Sequence, residues 1–473
     1  MLKKYSLVFV MLIALKSMSQ HQDLNEKSQM YKGKKETVHD TTSLLSAFKK
    51  GHVNGHFRYF FMATDNANGL TDYFANAAGG GLRYETAEFR GFQMAVSGFY
   101  LFDIGSSDLG KLDSTTKQGN RYEIGLFDIE DPSNHKDIDR LEELYLRYNY
   151  KKSHIIFGRQ LINTPFINLQ DGRMRPTGVE GVWAEYNETK KLKIEGGWIY
   201  AVSPRSTTKW YYAGHSLGVY PSGVNIDGRR SDYFENISSQ GVAMLGLTIN
   251  AKKWMNIKLW NMHFDNVLNT AMLQMDFKMR TKEKSNFYSG IQFLRQDAIN
   301  DGGNVDPEKT YINRGKKSMV LSGKFGWKNE RLDYSINYTH ITKHGRYLMP
   351  REWGRDPFYT FMPRERNEGY GNVHAVVGKI AYGLPKYRIK TSLAAGYFKL
   401  PDVKDFELNK YGMPSYTQIN ADVRYLFKGL FNGMDAQFLV VGKLNNGELY
   451  NNRRFEFNKV NMLNYNLILN FHF

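Results

Sequence analysis

A two-residue alternation of apolar and polar side chains recurs in short segments from Gly51 to the C-terminus, and it limits the fold more than any other property of the chain. Leu332, Tyr334, Ile336 and Tyr338 alternate with Asp333, Ser335, Asn337 and Thr339. A β-strand points successive side chains to opposite faces, so such a segment has one apolar face and one wet face. Leu192, Ile194, Trp198 and Tyr200 alternate in the same way with Lys193 and Glu195, and Arg388 to Tyr397 repeats the pattern. The last segment sets Leu463, Tyr465, Leu467, Leu469, Phe471 and Phe473 against Asn464, Asn466, Asn470 and His472. Strands are predicted at 51–62, 75–85, 91–102, 141–150, 154–160, 179–186, 192–201, 242–250, 255–261, 270–279, 286–295, 318–325, 332–340, 373–381, 388–397, 416–427, 435–444 and 461–473. Both faces are apolar in 179–186, 242–250 and 373–381.

The connections alternate in length. Short ones fall at 86–90, 151–153, 187–191, 251–254, 280–285, 326–331, 382–387 and 428–434. Long ones fall at 63–74, 103–140, 161–178, 202–241, 262–269, 296–317, 341–372, 398–415 and 445–460. The expected fold is all-β: a transmembrane up-and-down antiparallel β-barrel of about eighteen strands, with long outer loops and short periplasmic turns. Composition agrees. Aromatics make up 14% while hydrophobic residues are only 41%, and mean hydropathy is -0.53, as for a wall between lipid and water.

Lys3 and Lys4, the apolar run Tyr5 to Leu15, and Ser17-Met18-Ser19 form a secretory signal that predicts cleavage before Gln20. Three parts are expected: a signal peptide at 1–19, a periplasmic lead at 20–50 and one barrel domain at 51–473. One helical turn carrying Leu44, Leu45 and Phe48 is expected at the end of the lead. The lead is too short for the folded plug of a TonB-dependent receptor. The terminal Phe473 is of the kind the barrel-assembly machinery reads, so that machinery is an expected partner. The expected location is the cell outer membrane.

Cysteine is absent, which excludes a disulfide framework, a thiol nucleophile and a lipid anchor. The formal charge is +17, but the basic residues are scattered at strand-like intervals, so nucleic acid is not an expected partner. No nucleophile elbow, HExxH, EF-hand loop or Walker A motif occurs. His52 and His56 lie two pleats apart, too far to share a metal, and Asp128 to Asp131 reads as a solvated acidic turn. Neither enzyme activity, metal nor cofactor is expected.

The densest motif lies in the third long connection: Gly158-Arg159-Gln160, Asn163-Thr164-Pro165-Phe166, Asn168, Gln170-Asp171-Gly172-Arg173-Met174-Arg175-Pro176 and Glu180-Gly181. With it go Gly55, Arg58, Tyr59 and Phe60; Gly79-Gly80-Gly81-Leu82-Arg83-Tyr84-Glu85-Thr86; Gly91-Phe92; Arg140-Leu141-Glu142-Glu143-Leu144-Tyr145-Leu146; and Ser203-Pro204-Arg205-Ser206-Thr207. In this order the chain resembles the OprD family of outer-membrane porins, specifically its Bacteroidetes-type members. The resemblance implies a monomeric eighteen-stranded barrel, loops folded inward to a narrow eyelet, and a ladder of basic residues down the wall. It implies carriage of amino acids, small peptides and carboxylates. It places Asp171, Arg173, Arg175 and Glu180 at the constriction and Arg58 on the wall. Loop lengths differ from those of proteobacterial members, so substrate specificity is not carried over.

Strand parity yields a similar picture without the resemblance. The polar face holds Arg58, Arg147, Lys193, Lys258, Lys278, Lys324, Arg388, Lys390, Arg424 and Lys443, with Glu143, Glu195, Asp276, Asp333 and Asp422 among them. Like charges in a narrow pore between low-dielectric walls concentrate anions, and the arginine fork suits carboxylates. The expected function is passive diffusion of small anionic or zwitterionic solutes through a basic-lined eyelet. The alternative is a closed-lumen structural, receptor or adhesion barrel. The seventh long connection interleaves Arg346, Arg351, Arg355, Arg364 and Arg366 with Tyr347, Trp353, Phe358, Tyr359 and Phe361. It is expected to plug part of the mouth or to meet anionic lipopolysaccharide at the rim, outer-membrane lipid being the other expected partner.

Overall fold

The computed structural model describes residues 41–136, 138–169, 173–281 and 284–473. The expected signal peptide, and the lead as far as residue 40, lie outside the described residues. The strands are β1 (His52–Asp65), β2 (Tyr73–Glu85), β3 (Phe92–Asp103), β4 (Arg140–Tyr150), β5 (Ser153–Gln160), β6 (Gly178–Tyr186), β7 (Leu192–Ser203), β8 (Tyr211–Tyr212), β9 (Val242–Lys252) and β10 (Met255–Phe264). They continue with β11 (Leu268–Arg280), β12 (Asn286–Ala298), β13 (Lys317–Lys328), β14 (Leu332–Ile341), β15 (Val373–Leu384), β16 (Ile389–Lys399), β17 (Tyr416–Leu426), β18 (Met434–Asn445) and β19 (Met462–His472). Every strand expected from the alternation is present, including the three that are apolar on both faces.

Neighbours pair antiparallel all the way round, and β1 closes on β19 from His56 opposite His472 to Asp65 opposite Leu463. The two-residue β8 only extends the sheet at the outer end of β7, beyond the reach of β9. The wall is therefore an eighteen-stranded closed barrel, which leaves no unpaired backbone edge in lipid. Phe57, Leu82, Phe157, Phe293, Phe325, Ile336, Phe438 and Leu467 stand exposed on the outside, while Met62, Ala75, Gln292, Ser322, Asn337, Gln418 and Asn466 are buried on the inside.

The connections at one end are short and most of those at the other are long. β10 and β11 are joined by 265–267 alone, and the long loop expected at 262–269 does not form. Both strands run on because their apolar parity continues through Met262, Phe264 and Leu268, all buried. Asn266 turns the chain at φ 58°, a left-handed conformation that asparagine tolerates.

The helix α1 (Leu44–Lys49) sits at the short-turn end, capped by the Ser43 side chain, which accepts from the Ser46 amide at 3.1 Å. Ala47 is buried and its carbonyl accepts from the Ala87 amide, whereas Leu44, Leu45 and Phe48 stay exposed.

The outer half of the interior is packed. One cluster joins Phe166, Ile167, Leu217, Ile237, Trp353, Phe358, Met362 and Tyr370 from the long loops to Trp183, Trp260, Met272 and Val377 of the wall. A second joins Leu109, Tyr122, Ile124, Met174 and Phe457 to Phe60, Met62 and Phe99. The inner half keeps polar, partly exposed side chains on its wall.

Candidate functional site: the lumen and its inward loop

Strand parity carries Arg58, Arg147, Lys193, Lys258, Lys278, Lys324, Lys390, Arg424 and Lys443 to the inner face. Cross-strand register sets Lys193 and Lys258 on either side of Thr248 in one row. Several carry counter-ions. Lys193 bridges Glu185 at 2.9 Å and Glu195 at 3.1 Å, Lys324 meets Asp276 at 2.9 Å, and Arg424 lies 3.5 Å from Asp422. Arg388 is a correction. It caps the turn between β15 and β16 at φ 53° and donates to the Phe427 carbonyl at 2.9 Å, so it belongs to the short-turn end and not to the strand wall. Arg83, which the sequence reading left out of the wall list, also faces inward and pairs with Glu85 at 2.9 Å and Glu143 at 3.0 Å.

Of the residues expected at the constriction, the described ones, Arg173, Arg175 and Glu180, do not converge on one opening. Asp171 lies outside the described residues. Arg175 is 1% exposed and spends its guanidinium on loop carbonyls, Thr207 at 2.5 Å and Ile138 at 3.4 Å. Arg140, Glu142 and Asp128 surround it, so no solute reaches it. Arg173 is buried too, within charge range of Glu123. Glu180 sits opposite Arg159, which shares its parity with the outward Ile155 and Phe157. Glu180 therefore points away from the lumen. It pairs with Arg159 at 3.0 Å and accepts from the Tyr200 hydroxyl, and the Arg159 guanidinium lies 4.6 Å over the Trp210 ring. One residue step along a strand changes the face, and the motif alone does not say which side Glu180 takes.

The loop 342–372 occupies the interior. Trp353 is fully buried against Phe264, its indole donating to Ser216 Oγ at 2.9 Å. Asn168 of the third loop brackets the turn beyond it, donating to the Arg355 carbonyl at 2.8 Å and accepting from the Arg355 amide at 3.2 Å. Gly354 holds φ 134° there, and a Cβ would stand 2.5 Å from Asn168 Oδ1, so the close approach requires glycine. The loop then crosses the lumen. Tyr359 donates to Asp276 of β11 at 3.1 Å, Thr360 to Thr339 of β14 at 2.7 Å, and Lys379 of β15 donates to the carbonyls of Tyr359 and Phe361. On the far side Arg364 donates to Asn464 at 3.0 Å and to Asn466, both on β19.

A charge cluster locks that crossing. Glu365 accepts from Arg121 of the second loop at 3.1 Å and from Lys443 of β18 at 3.1 Å, with Arg351 at 3.8 Å. Arg351 also pairs with Glu368. Burial pulls the Glu365 carboxyl up, but the three cations outweigh it and hold it well below the usual range. Asp356 goes the other way: burial outweighs the Asn367 amide bond and the nearby Arg355 and Arg366, raising it from 3.8 to about 6. Burial likewise raises Glu352, which accepts from the Gly218 and Tyr220 amides.

An eighteen-stranded barrel narrowed by an inward loop invites comparison with known channels. A family model described as outer membrane porin, OprD family, matches residues 48–340. The chain belongs to the OprD family. Solved structures agree on the fold. Pseudomonas aeruginosa OpdK with vanillate superposes with a TM-score of 0.68 at 11% identity, over 90% of this chain and 99% of that one. Acinetobacter baumannii OccAB2 gives 0.70 at 13%, over 90% and 99%. Pseudomonas aeruginosa OccD3 (OpdP) gives 0.67 at 12%, over 98% and 96%. No curated protein matches in sequence. This OprD-family porin is thus an outer-membrane channel for small solutes. Its seventh loop fills part of the interior, in keeping with the expectation that it plugs part of the mouth, although the sequence did not name the loop's partners. Glu365 and Glu368 interleave with Arg364 and Arg366 in the sequence, yet they take their cations from Arg121, Arg351 and Lys443, which the interleaving does not signal.

Proposed function

We propose that this porin passes small anionic or zwitterionic solutes, among them carboxylates, amino acids and short peptides, by passive diffusion. The single observation that carries the reading is the basic wall of the inner half: Arg58, Arg147, Lys193, Lys258, Lys324 and Arg424 all face the lumen. A cation-rich lumen in low-dielectric walls raises the local anion concentration. The narrowest passage is assigned to the underside of the inward loop, with Tyr359, Phe361 and Arg364 meeting the wall, in place of the Asp171 to Glu180 segment. A carboxylate would be passed along wall cations that hold it weakly enough to release it.

Single-channel recording of the refolded chain in a planar bilayer under a salt gradient tests this. Discrete steps with an anion-leaning reversal potential are expected, and the double variant Arg147→Glu/Lys258→Glu should move that potential toward cations. Vanillate, carried by the similar OpdK structure, is a fitting first blocker because it is an aromatic carboxylate. A cation-leaning wild type would overturn the anion reading, and silence from a folded barrel would mean that the loop shuts the pore.

A further inference from the structure

The seventh loop leaves the wall at Ile341, the last residue of β14, and returns at Val373, the first of β15. Its feet are tied by the Asn372 amide, which donates to the Thr342 carbonyl at 3.0 Å. Beside that tie, His340 of β14 lies opposite His374 of β15 in the register. They share the parity of the exposed Tyr338 and Val376, so both point outward, away from the solute path. Their rings stack with centroids 4.3 Å apart and 27° between the planes, and each is half-buried.

The surroundings fix how each ring is held. Nδ1 of His340 lies 3.0 Å from the Val373 carbonyl. A carbonyl only accepts, so Nδ1 carries the proton and the neutral ring keeps its lone pair on Nε2. Nδ1 of His374 lies 2.7 Å from the Tyr338 hydroxyl, whose oxygen can take the equivalent proton. Neither Nε2 has a hydrogen-bond partner among the described residues. An imidazole held through one nitrogen by a carbonyl or hydroxyl, with the other nitrogen open, is oriented as metal-ligating histidines are.

We propose that His340 and His374 form a two-imidazole site for a divalent transition-metal ion, Cu²⁺ in preference to Zn²⁺, with water in the remaining positions. Nitrogens that share one ion at about 2.0–2.1 Å each stand roughly 3 Å apart, which the stacked rings reach by tilting their tips together by about 1 Å. The pair is flanked in the register by Leu321 and Lys399, with no carboxylate beside it, and no set of three or more acidic or imidazole groups is placed to hold a metal among the described residues. Two neutral nitrogens without a carboxylate suit ions that favour imidazole, and they do not suit Mg²⁺ or Ca²⁺, which take oxygen. Copper leads because it heads the affinity order of the divalent ions.

The test is titration of the detergent-solubilised full chain with Cu²⁺, followed by pulsed electron paramagnetic resonance. At micromolar ion the wild type should bind one more equivalent than His340→Gln/His374→Gln, and the difference spectrum should show two equatorial imidazoles. Tyr338→Phe should weaken that site roughly tenfold, through loss of the oxygen that orients His374. His215→Gln/His263→Gln, at two other exposed histidines, should bind as the wild type does. Each variant should keep the heat-modifiable gel mobility of a folded barrel. Equal copper uptake by His340→Gln/His374→Gln would overturn the proposal, as would a difference spectrum with a single imidazole or displacement of the copper by Zn²⁺ mole for mole.

Discussion

Arg175 shows how a buried cation differs from a pore cation of the same type. Its guanidinium is spent on the carbonyls of Thr207 and Ile138, next to Arg140 and Glu142. Arg175→Glu would bury a carboxylate beside Glu142 and Asp128 and is expected to cost roughly 3–5 kcal/mol. A fall in the yield of heat-modifiable barrel, measured before any conductance, checks this, and unchanged yield would return Arg175 to the solute path. Asp356 sets a pH dependence. Its folded value of about 6 lies above its ordinary 3.8, so the docked loop binds more protons than the released loop between these values. The Asp356 contribution to docking is complete below about pH 4 and is lost as pH rises through about 6. Limited proteolysis of the seventh loop should accelerate across that window, and Asp356→Asn should flatten the profile.

At the scale of elements, the wall was legible, but of the inward loop only its place in the mouth was, not its partners. Lipid on one side and water on the other impose a period of two on every strand, so Leu463 to Phe473 could be assigned face by face from the sequence. A charge on the lipid face should then hinder insertion: Leu467→Lys is expected to cost roughly 2–4 kcal/mol near midplane, and a normal urea midpoint for the variant would count against it. The seventh loop offers no such period. Its partners Asn168, Asp276, Lys443 and Asn464 come from another loop and from strands far along the chain, and nothing local to Trp353 or Arg364 names them. The third-loop motif was dense in charge, yet density did not separate Arg175, a structural anchor, from a lumen cation. Deleting 355–366 should raise single-channel conductance several-fold while strand content by circular dichroism stays unchanged. Equal conductance would mean that another segment sets the constriction.

The whole molecule is a polar-lined vestibule below and a loop core above, within one closed wall. That division decides what the cell surface presents. In a barrel whose loops float in solvent, sequence drift in those loops has little cost, and phage or antibodies select for it. Here Trp353, Tyr347 and Phe358 are as buried as any residue of the wall, so the loop that carries them cannot vary without opening or jamming the channel. Exposed tips such as Leu112, Arg229 and Val305 remain free to change. Antigenic variation in this porin should therefore concentrate at those tips, and an agent that recognised the inward loop would meet a target with almost no room to escape.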